Sequence, residues 1–325
     1  RRFIHLSAVG ADEGAATAYA RSKQAAERAL AASGLDYLVL RPSLVMDRAV
    51  YGGTALMRGL AGFPVFIPVV GGDQRFRPLA MADLSSAIAA GLAPGAPSRT
   101  SLELAGPEAA SLSELLTRLR GWLGLGAAPV VRVPGWAAAA ALAGGDLLGR
   151  LGWPSALRTT SLRQMNHDVE GDPDGWTALG LTPLGLEAIL RRAPATVQDR
   201  WHARLYFVRP IAIAVLALFW IGTGVVSLGP GREAAVGVLL TGGFGGWSPW
   251  VADIGSLFDV AMGLALLVRR WTARVATLMV AATVGYLVVG TATLPQLWLD
   301  PLGPWLKVIP MMALCLFVAA TDARR

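Results

Sequence analysis

The fold is decided by two stretches near the start of the chain, Phe3-Ile-His-Leu-Ser7-Ala-Val-Gly10 and Thr17-Ala-Tyr19-Ala-Arg-Ser-Lys23-Gln-Ala-Ala-Glu27. The apolar run of residues 3–6 ends at Ser7, which predicts a buried strand that opens into a loop. Thr17 can cap a helix that continues through alanine-rich sequence to about Ser33, where Gly34 ends it.

Tyr19 and Lys23 are four residues apart on the predicted helix, so their side chains share one face. An ammonium beside a phenol favours the phenolate, which suits a tyrosine that exchanges a proton near neutral pH. Ser7 can hold a substrate oxygen across the site. The spacing alone is a weak signal, since a half-exposed tyrosine and a solvated lysine often share a helix by chance.

The residues after Gly34 extend this pattern. They form an apolar strand that ends at a proline, Leu35-Asp-Tyr-Leu-Val-Leu-Arg41-Pro42-Ser43. A strand, a helix and a second strand in this order make a βαβ unit, the building block of a parallel sheet. The sequence therefore predicts an α/β domain.

Three runs in this region carry a family resemblance: HLSAVGAD from His5, YARSKQAAERAL from Tyr19 and GLDYLVLRPSLVMD from Gly34. They resemble the second half of an atypical or extended short-chain dehydrogenase/reductase. The nearest branch is that of NAD(P)-binding proteins similar to the accessory nucleotide-binding subunit of respiratory complex I. Residues 77–90, residues 101–108 and a helix that begins near Ser111 continue the match.

The resemblance implies roles for individual residues. Ser7, Tyr19 and Lys23 occupy the catalytic positions of the family. Tyr19 and Lys23 would also contact the cofactor, NAD or NADP, with Lys23 on the nicotinamide ribose. The turn Arg41-Pro42-Ser43 would lie beside the nicotinamide and complete the predicted cofactor contacts.

One expected motif has no counterpart here. The family begins with a strand and a glycine-rich phosphate turn that opens its first helix. Gly52-Gly53 and Gly71-Gly72 are not expected to lie between a strand and a helix. We therefore expect a partial Rossmann-type domain that lacks the N-terminal strands, with an incomplete NAD(P) site.

Composition separates the chain from ordinary soluble enzymes. Hydrophobic residues make up 54% and charged residues 16% of the 325 residues, which points to membrane segments. The net charge of +7 is spread out, so it does not favour nucleic acid as a partner. Cys315 is the only cysteine, and His5, His167 and His202 lie far apart, so we expect no metal site.

We divide the chain into a Rossmann-type part (residues 1–128), a small lobe over the substrate (129–204) and a transmembrane domain (205–325). Within the first part, residues 44–78 are either near the substrate pocket, as the resemblance implies, or an ordinary loop with one short strand. Residues 107–128 are predicted as one helix, and Asp83 as the cap of another. Residues 157–168 and 176–190 resemble the family's small C-terminal lobe.

The last part of the sequence contains four apolar stretches long enough, or nearly so, to cross a bilayer. These predicted spans are residues 210–231, 254–268, 275–294 and 305–321. The glycine-rich piece 234–247 is predicted to be interfacial or re-entrant. The fold class is therefore a partial α/β Rossmann-type domain followed by an all-α transmembrane four-helix bundle.

The basic residues predict the orientation of this bundle. With four spans and the N-terminal part inside, the inner side holds Arg200, Arg204, Arg209, Arg269, Arg270, Arg274, Arg324 and Arg325. The outer side holds only Arg232 and Lys307. This asymmetry follows the positive-inside rule, and it predicts a multi-pass protein of the bacterial inner membrane whose N-terminal part faces the cytoplasm.

The tail resembles the DoxX-like family of four-helix bacterial membrane domains, from its layout and the pattern Asp259-Val-Ala-Met-Gly263. Some members of that family are linked to quinone and sulfur redox chemistry. A carboxyl group within a span is costly unless it is paired, so Asp259 is a functional candidate. The alternative is an interior carboxylate bonded to a neighbouring helix, with Arg209 or Tyr286 as its partner.

Three functions remain open at this stage. The first is a membrane-anchored NAD(P)-dependent oxidoreductase acting on a small molecule with a carbonyl or alcohol group, or on a quinone. The second is a non-catalytic NAD(P)-binding module of a membrane redox assembly. The third is a membrane domain that acts alone. The expected partners are the lipid bilayer, a small-molecule substrate and a membrane redox partner or quinone.

Overall fold

The computed structural model describes residues 2–11, 17–150, 152–153 and 170–322. The chain forms two compact units, one of residues 1–150 and 154–206, the other of residues 151–153 and 207–325. The predicted domain boundaries at 128 and 204 stay a prediction. The predicted match at residues 157–168 lies outside the described residues.

The first unit is organised around a three-stranded parallel sheet in the order β1-β2-β7. Its strands are β1 (Arg2–Leu6), β2 (Asp36–Pro42) and β7 (Thr100–Leu104). Leu6 pairs with Leu40, and Leu40 with Leu102. Because the strands are parallel, their carboxyl ends lie at one edge of the sheet.

The first helix, α1 (Ala18–Ala32), confirms the predicted crossover. The Thr17 hydroxyl accepts a hydrogen bond from the Ala20 N–H at 3.1 Å, as a helix cap should. Gly34 follows the helix with a φ of +69°, in the left-handed region that favours glycine. The predicted βαβ unit is therefore present.

The rest of the sheet region consists of short strands and three further helices. The strands are β3 (Val45–Met46), β4 (Ile67–Val69), β5 (Arg75–Phe76), β6 (Leu79–Ala80), β8 (Ala110–Ser111) and β9 (Val130–Arg132). They pair as β3-β6 and β4-β9, both parallel, and as β5-β8, antiparallel. The helices are α2 (Gly53–Ala61), α3 (Met81–Leu92) and α4 (Leu112–Trp122).

Several sequence predictions for this region were wrong. Gly52-Gly53 does lie between a strand and a helix, because β3 precedes it and Gly53 opens α2. Asp83 is not a cap: it lies in the first turn of α3, and its carboxylate accepts the Leu184 N–H at 2.8 Å. The helix predicted over residues 107–128 is shorter, because the Ser111–Glu114 capping box starts α4 there.

The chain then continues through α5 (Gly135–Arg150), the 3₁₀ helix Pro173–Leu179 and α6 (Leu186–Arg192). Helix α5 runs through Gly144 and Gly145 without a break. Trp176 is buried against the sheet, and its indole N–H donates to the Ala105 carbonyl at 2.8 Å.

The second unit is helical, and α7 (Val197–Leu228) leads into it. It also contains α8 (Arg232–Thr241), α9 (Ser248–Leu266), α10 (Thr272–Thr293) and α11 (Pro304–Ala320). Three described helical segments, Val197–Leu228, Gly245–Leu266 and Thr272–Thr293, are long and apolar enough to cross a membrane. Pro304–Ala320, at the fourth predicted span, is apolar but shorter.

Glycines allow helices of the second unit to approach closely. A Cβ at Gly263 would meet the side chain of Ile221 on α7, and one at Gly290 would meet the ring of Trp305. Small residues at such crossings are typical of helix packing in membranes.

Candidate functional site

The site lies where β1 and β2 end side by side. The Ser7 N–H donates to the Leu40 carbonyl at 2.8 Å, and the Val9 N–H donates to the Pro42 carbonyl at 3.3 Å. The chain after β1 therefore follows the carboxyl end of β2. In open α/β sheets, ligands bind at this edge.

Ser7 has a buried hydroxyl at this edge, with the residue only 4% exposed. Its Oγ makes no hydrogen bond within 3.5 Å to the described residues, although it lies close enough to the Glu27 carboxylate to influence it. A buried hydroxyl without a close partner is unusual in folded proteins. It is free to bind the oxygen atom of a ligand.

Tyr19 and Lys23 lie on the same face of α1, as their spacing predicts. The Lys23 ammonium donates to the Leu6 carbonyl at 2.8 Å and lies 5.7 Å from the centre of the Tyr19 ring. The lysine is thus anchored to the last residue of β1, one position before Ser7. Tyr19 is 47% exposed, so its ring is accessible from outside the domain.

Glu27 extends this face by one more turn, and the sequence analysis missed it. Its carboxylate accepts two hydrogen bonds from the Arg41 guanidinium, at 3.1 Å from Nε and 2.5 Å from Nη2. This forked geometry is the strongest form of an arginine–carboxylate pair. The spacing of Tyr19, Lys23 and Glu27 at every fourth residue could have indicated it.

The charges at this site set the pKa values of two groups. Burial raises the pKa of Glu27, but the hydrogen-bonded Arg41 guanidinium and the nearby Ser7 hydroxyl outweigh it and leave the pKa below its ordinary value. Burial and the nearby Lys23 lower the pKa of His5, against an opposing effect of Glu27. His5 is therefore neutral near pH 7, and its buried Nε2 makes no hydrogen bond to the described residues.

The residues of the predicted cofactor turn, Arg41-Pro42-Ser43, already bond to other parts of the protein. The Arg41 side chain is bound to Glu27 on α1. Pro42 pairs through its carbonyl with Val9, and the buried Ser43 donates its N–H to the Leu104 carbonyl at 3.0 Å. The structure thus places these three residues beside Ser7, and their contact with a cofactor stays a prediction.

The described residues fit one end of a dinucleotide. The free Ser7 hydroxyl and the accessible Tyr19–Lys23 pair suit a nicotinamide ribose and a substrate oxygen. No described strand–helix turn carries the spacing of the family's phosphate-binding motif. The fit is therefore limited to the nicotinamide end.

The second candidate lies between two helices of the second unit. The Tyr286 hydroxyl on α10 donates to the Asp259 carboxyl on α9 at 3.0 Å. Arg209, the other partner considered, is instead paired with Asp322 at 2.8 Å. Within the part of the chain that the structure describes, the Asp259 side chain makes no salt bridge.

Comparison with known families gives one match, within the second unit. The model of the DoxX-like family matches residues 217–316. This match confirms the resemblance predicted for the tail. The comparison with curated proteins gave no match.

Several solved structures that resemble the chain are of enzymes in complex with NAD or NADPH. One is the Bordetella bronchiseptica enzyme WbmG in complex with NAD, at 19% identity and a TM-score of 0.40, over 58% of this chain and 56% of that one. Another is the NADPH-dependent quinone oxidoreductase QOR2 from Escherichia coli in complex with NADPH, at 21% identity and a TM-score of 0.43, over 59% and 65% of the two chains.

A third is dTDP-glucose 4,6-dehydratase from Bacillus anthracis in complex with NAD, at 17% identity and a TM-score of 0.42, over 58% of each chain. The chain spans 56–64% of the length of the first three structures that it matches.

Proposed function

We propose that the protein is a membrane-anchored NAD(P)-dependent oxidoreductase of the short-chain dehydrogenase/reductase type. Its substrate is a small molecule with a carbonyl or alcohol group, or a quinone. The observation that carries this proposal is the Tyr19–Lys23 pair, anchored by the Lys23 bond to Leu6 beside the free hydroxyl of Ser7.

The chain's own residues supply binding and proton transfer. When bound, the nicotinamide donates or accepts the hydride. Tyr19 gives a proton to the substrate oxygen in reduction and takes it back in oxidation, and the Lys23 ammonium stabilises the phenolate. Ser7 donates a hydrogen bond to the same oxygen and orients it.

Two neighbouring groups hold this arrangement in place. The Glu27–Arg41 pair ties α1 to β2, which fixes the face that carries Tyr19 and Lys23. The neutral His5 adds no positive charge beside Lys23. Catalytic side chains need this kind of support, because small displacements of a reacting group reduce the rate strongly.

The location proposed for the protein is the bacterial inner membrane, with the first unit in the cytoplasm, where NAD(P)H is available. Three described helical segments could span a bilayer, and the arginine-rich ends of the predicted spans support this orientation. In the second unit we assign a functional role to Asp259. Its described partner is the neutral Tyr286 hydroxyl, so a negative charge on Asp259 would have no cation beside it.

The test is turnover by the protein expressed from its complete gene and held in lipid nanodiscs. NADH and NADPH oxidation would be followed with a panel of carbonyl compounds and quinones. Tyr19→Phe should lower kcat by about 10²–10⁴-fold, because it removes the proton donor. Tyr37→Phe, on β2 of the same unit, is the matched control and should keep full activity.

Two results would contradict the oxidoreductase proposal, and a third would favour the membrane unit as the working part. Equal turnover in wild type and Tyr19→Phe would remove the tyrosine from the chemistry. Cofactor binding without turnover in either protein would favour a non-catalytic NAD(P)-binding module. The third is loss of cellular function in Asp259→Asn with cofactor turnover intact, which would favour the membrane unit as the part on which that function depends.

A further inference from the structure

The first unit contains a cleft whose lining includes none of the candidate site residues Ser7, Tyr19, Lys23, Glu27 and Arg41. It has a volume of about 320 Å³, at the lower end of the range typical of small-molecule sites. Met46 and Ala80, the last residues of the parallel strands β3 and β6, form part of its lining. We call it the arginine cleft, because Arg48, Arg58 and Arg192 all line it.

Arg58 is a fixed part of the cleft wall. It is 5% exposed, and its Nη1 donates to the Asp199 carboxylate at 2.6 Å while Nη2 donates to the Asp47 carbonyl at 2.7 Å. Its guanidinium lies 4.7 Å from the ring centre of Trp122, which also lines the cleft. The charge of Arg58 is thus offset by Asp199.

Asp199 has little capacity left for a second arginine. Its other oxygen accepts hydrogen bonds from the Thr196 N–H and hydroxyl, at 2.8 and 2.7 Å. Arg48 accordingly stays 3.9 Å from this carboxylate, and its side chain is 53% exposed. Its remaining bond, to the Pro194 carbonyl, is long at 3.5 Å.

Arg192 supplies a second available cation. It is exposed at the end of α6, and it makes no hydrogen bond or salt bridge to the residues that the structure describes. The acidic side chain in the lining is Asp47, whose Oδ1 accepts the Arg48 backbone N–H at 2.7 Å. The rim of the cleft therefore has a net positive charge.

The other walls of the cleft are apolar. They are formed by Met46, Met81, Leu119, Leu184, Ile189 and Leu190. A hydrocarbon or aromatic group would be desolvated favourably against these side chains. Arginine at the rim can bind a carboxylate or phosphate through two parallel hydrogen bonds.

We propose that the arginine cleft binds an amphipathic acid: an apolar body within the cleft and a carboxylate or phosphate group on Arg48 and Arg192. Arg48 and Arg192 are then specificity-determining residues, while Arg58 and Trp122 shape the wall.

The test is equilibrium binding to the full chain in phosphatidylcholine nanodiscs without cofactor, measured by calorimetry against empty nanodiscs. The probes are 4-phenylbutyrate and phenyl phosphate, whose relative affinities distinguish a carboxylate ligand from a phosphate ligand. The uncharged 4-phenylbutanamide tests the need for the charge, and inorganic phosphate tests the need for the apolar body. At least one of the two acids should bind saturably, and both controls should bind at least about tenfold more weakly.

Arg192→Gln and its neighbour Arg191→Gln form a matched pair. Both residues are exposed in the last turn of α6, and of the two only Arg192 lines the cleft. Arg192→Gln should weaken binding of the acid about tenfold, since it removes a charge-assisted hydrogen bond. Arg191→Gln should leave the affinity unchanged.

Three outcomes would overturn the inference: no saturable binding of either acid, equal binding of the amide, or equal losses in both arginine variants. None of them depends on turnover. If the protein oxidises NAD(P)H in a Tyr19-dependent way but binds neither acid, the proposed function stands and the inference about the arginine cleft fails. Saturable binding that only Arg192→Gln weakens supports the cleft even where turnover is absent.

Discussion

Two carboxyl groups, one in each unit, are held in different ways. Glu27 on α1 receives two hydrogen bonds from the Arg41 guanidinium. Asp259 on α9 receives one from the neutral hydroxyl of Tyr286. A paired carboxylate stays ionised and fixes the position of its helix, whereas an unpaired one in hydrocarbon is less costly when protonated. The first group is therefore suited to support a site, and the second to carry a proton.

The sharpest test of this contrast is chemical labelling. N,N′-dicyclohexylcarbodiimide partitions into bilayers and reacts with protonated carboxyl groups in apolar surroundings. We expect an adduct on Asp259 in native membranes, detected by mass spectrometry, and none on Glu27. Asp253 is the control on the same helix, because Arg232 pairs with it at 2.7 Å. Labelling of Asp253 or Glu27 in preference to Asp259 would contradict the proposed difference between the paired and the unpaired carboxyl group.

The next largest effect is expected from breaking the paired carboxyl. Arg41→Ala leaves Glu27 buried without its cation, so the free energy of unfolding of the first unit should fall by about 3 kcal/mol. The double variant Glu27→Met/Arg41→Met should lose less, since no charge is left unpaired. Asp259→Asn should change stability by less than about 1 kcal/mol.

Denaturant unfolding would measure these changes in the free energy of unfolding, with hydrogen exchange of the α1 and β2 amides as the probe. A loss in Asp259→Asn as large as that in Arg41→Ala would mean that both carboxyl groups serve the same structural purpose.

Glycine substitutions should give a smaller difference between the units. A Cβ at Gly106 would overlap the Pro78 carbonyl oxygen, which belongs to the backbone and moves little. A Cβ at Gly290 would overlap the edge of the Trp305 ring, which can turn away. Gly106→Ala should therefore destabilise its unit by about 3 kcal/mol and Gly290→Ala by about 1 kcal/mol. Thermal unfolding of the purified variants measures both, and the reverse order would contradict this packing.

The local parts of the fold could be predicted from the sequence. The β1–α1–β2 unit follows from signals within a few residues: the Thr17 cap, the fourfold spacing of Tyr19 and Lys23, and Gly34. Ser7 could be placed at a strand end for the same reason. The start of α4 near Ser111 depends on another local signal, the capping box that Ser111 forms with Glu114.

The remaining features depend on contacts between distant residues. Arg58 and Asp199 are 141 positions apart, and no local pattern connects them. Asp83 resembles a helix cap in sequence, but the Leu184 backbone N–H, 101 positions away, takes its carboxylate. Helix α5 continues through Gly144-Gly145 because the low helix propensity of glycine is a weak preference that tertiary context overrides.

The most direct test of the central claim is a fluorescence titration of the complete protein with NADH and NADPH. The account predicts saturable binding of at least one nucleotide. Lys23→Met should weaken that binding at least about tenfold, because it removes the ammonium anchored at Leu6, while Tyr19→Phe should preserve it. The absence of saturable binding, or an unchanged affinity in Lys23→Met, would contradict a nicotinamide site at the ends of β1 and β2.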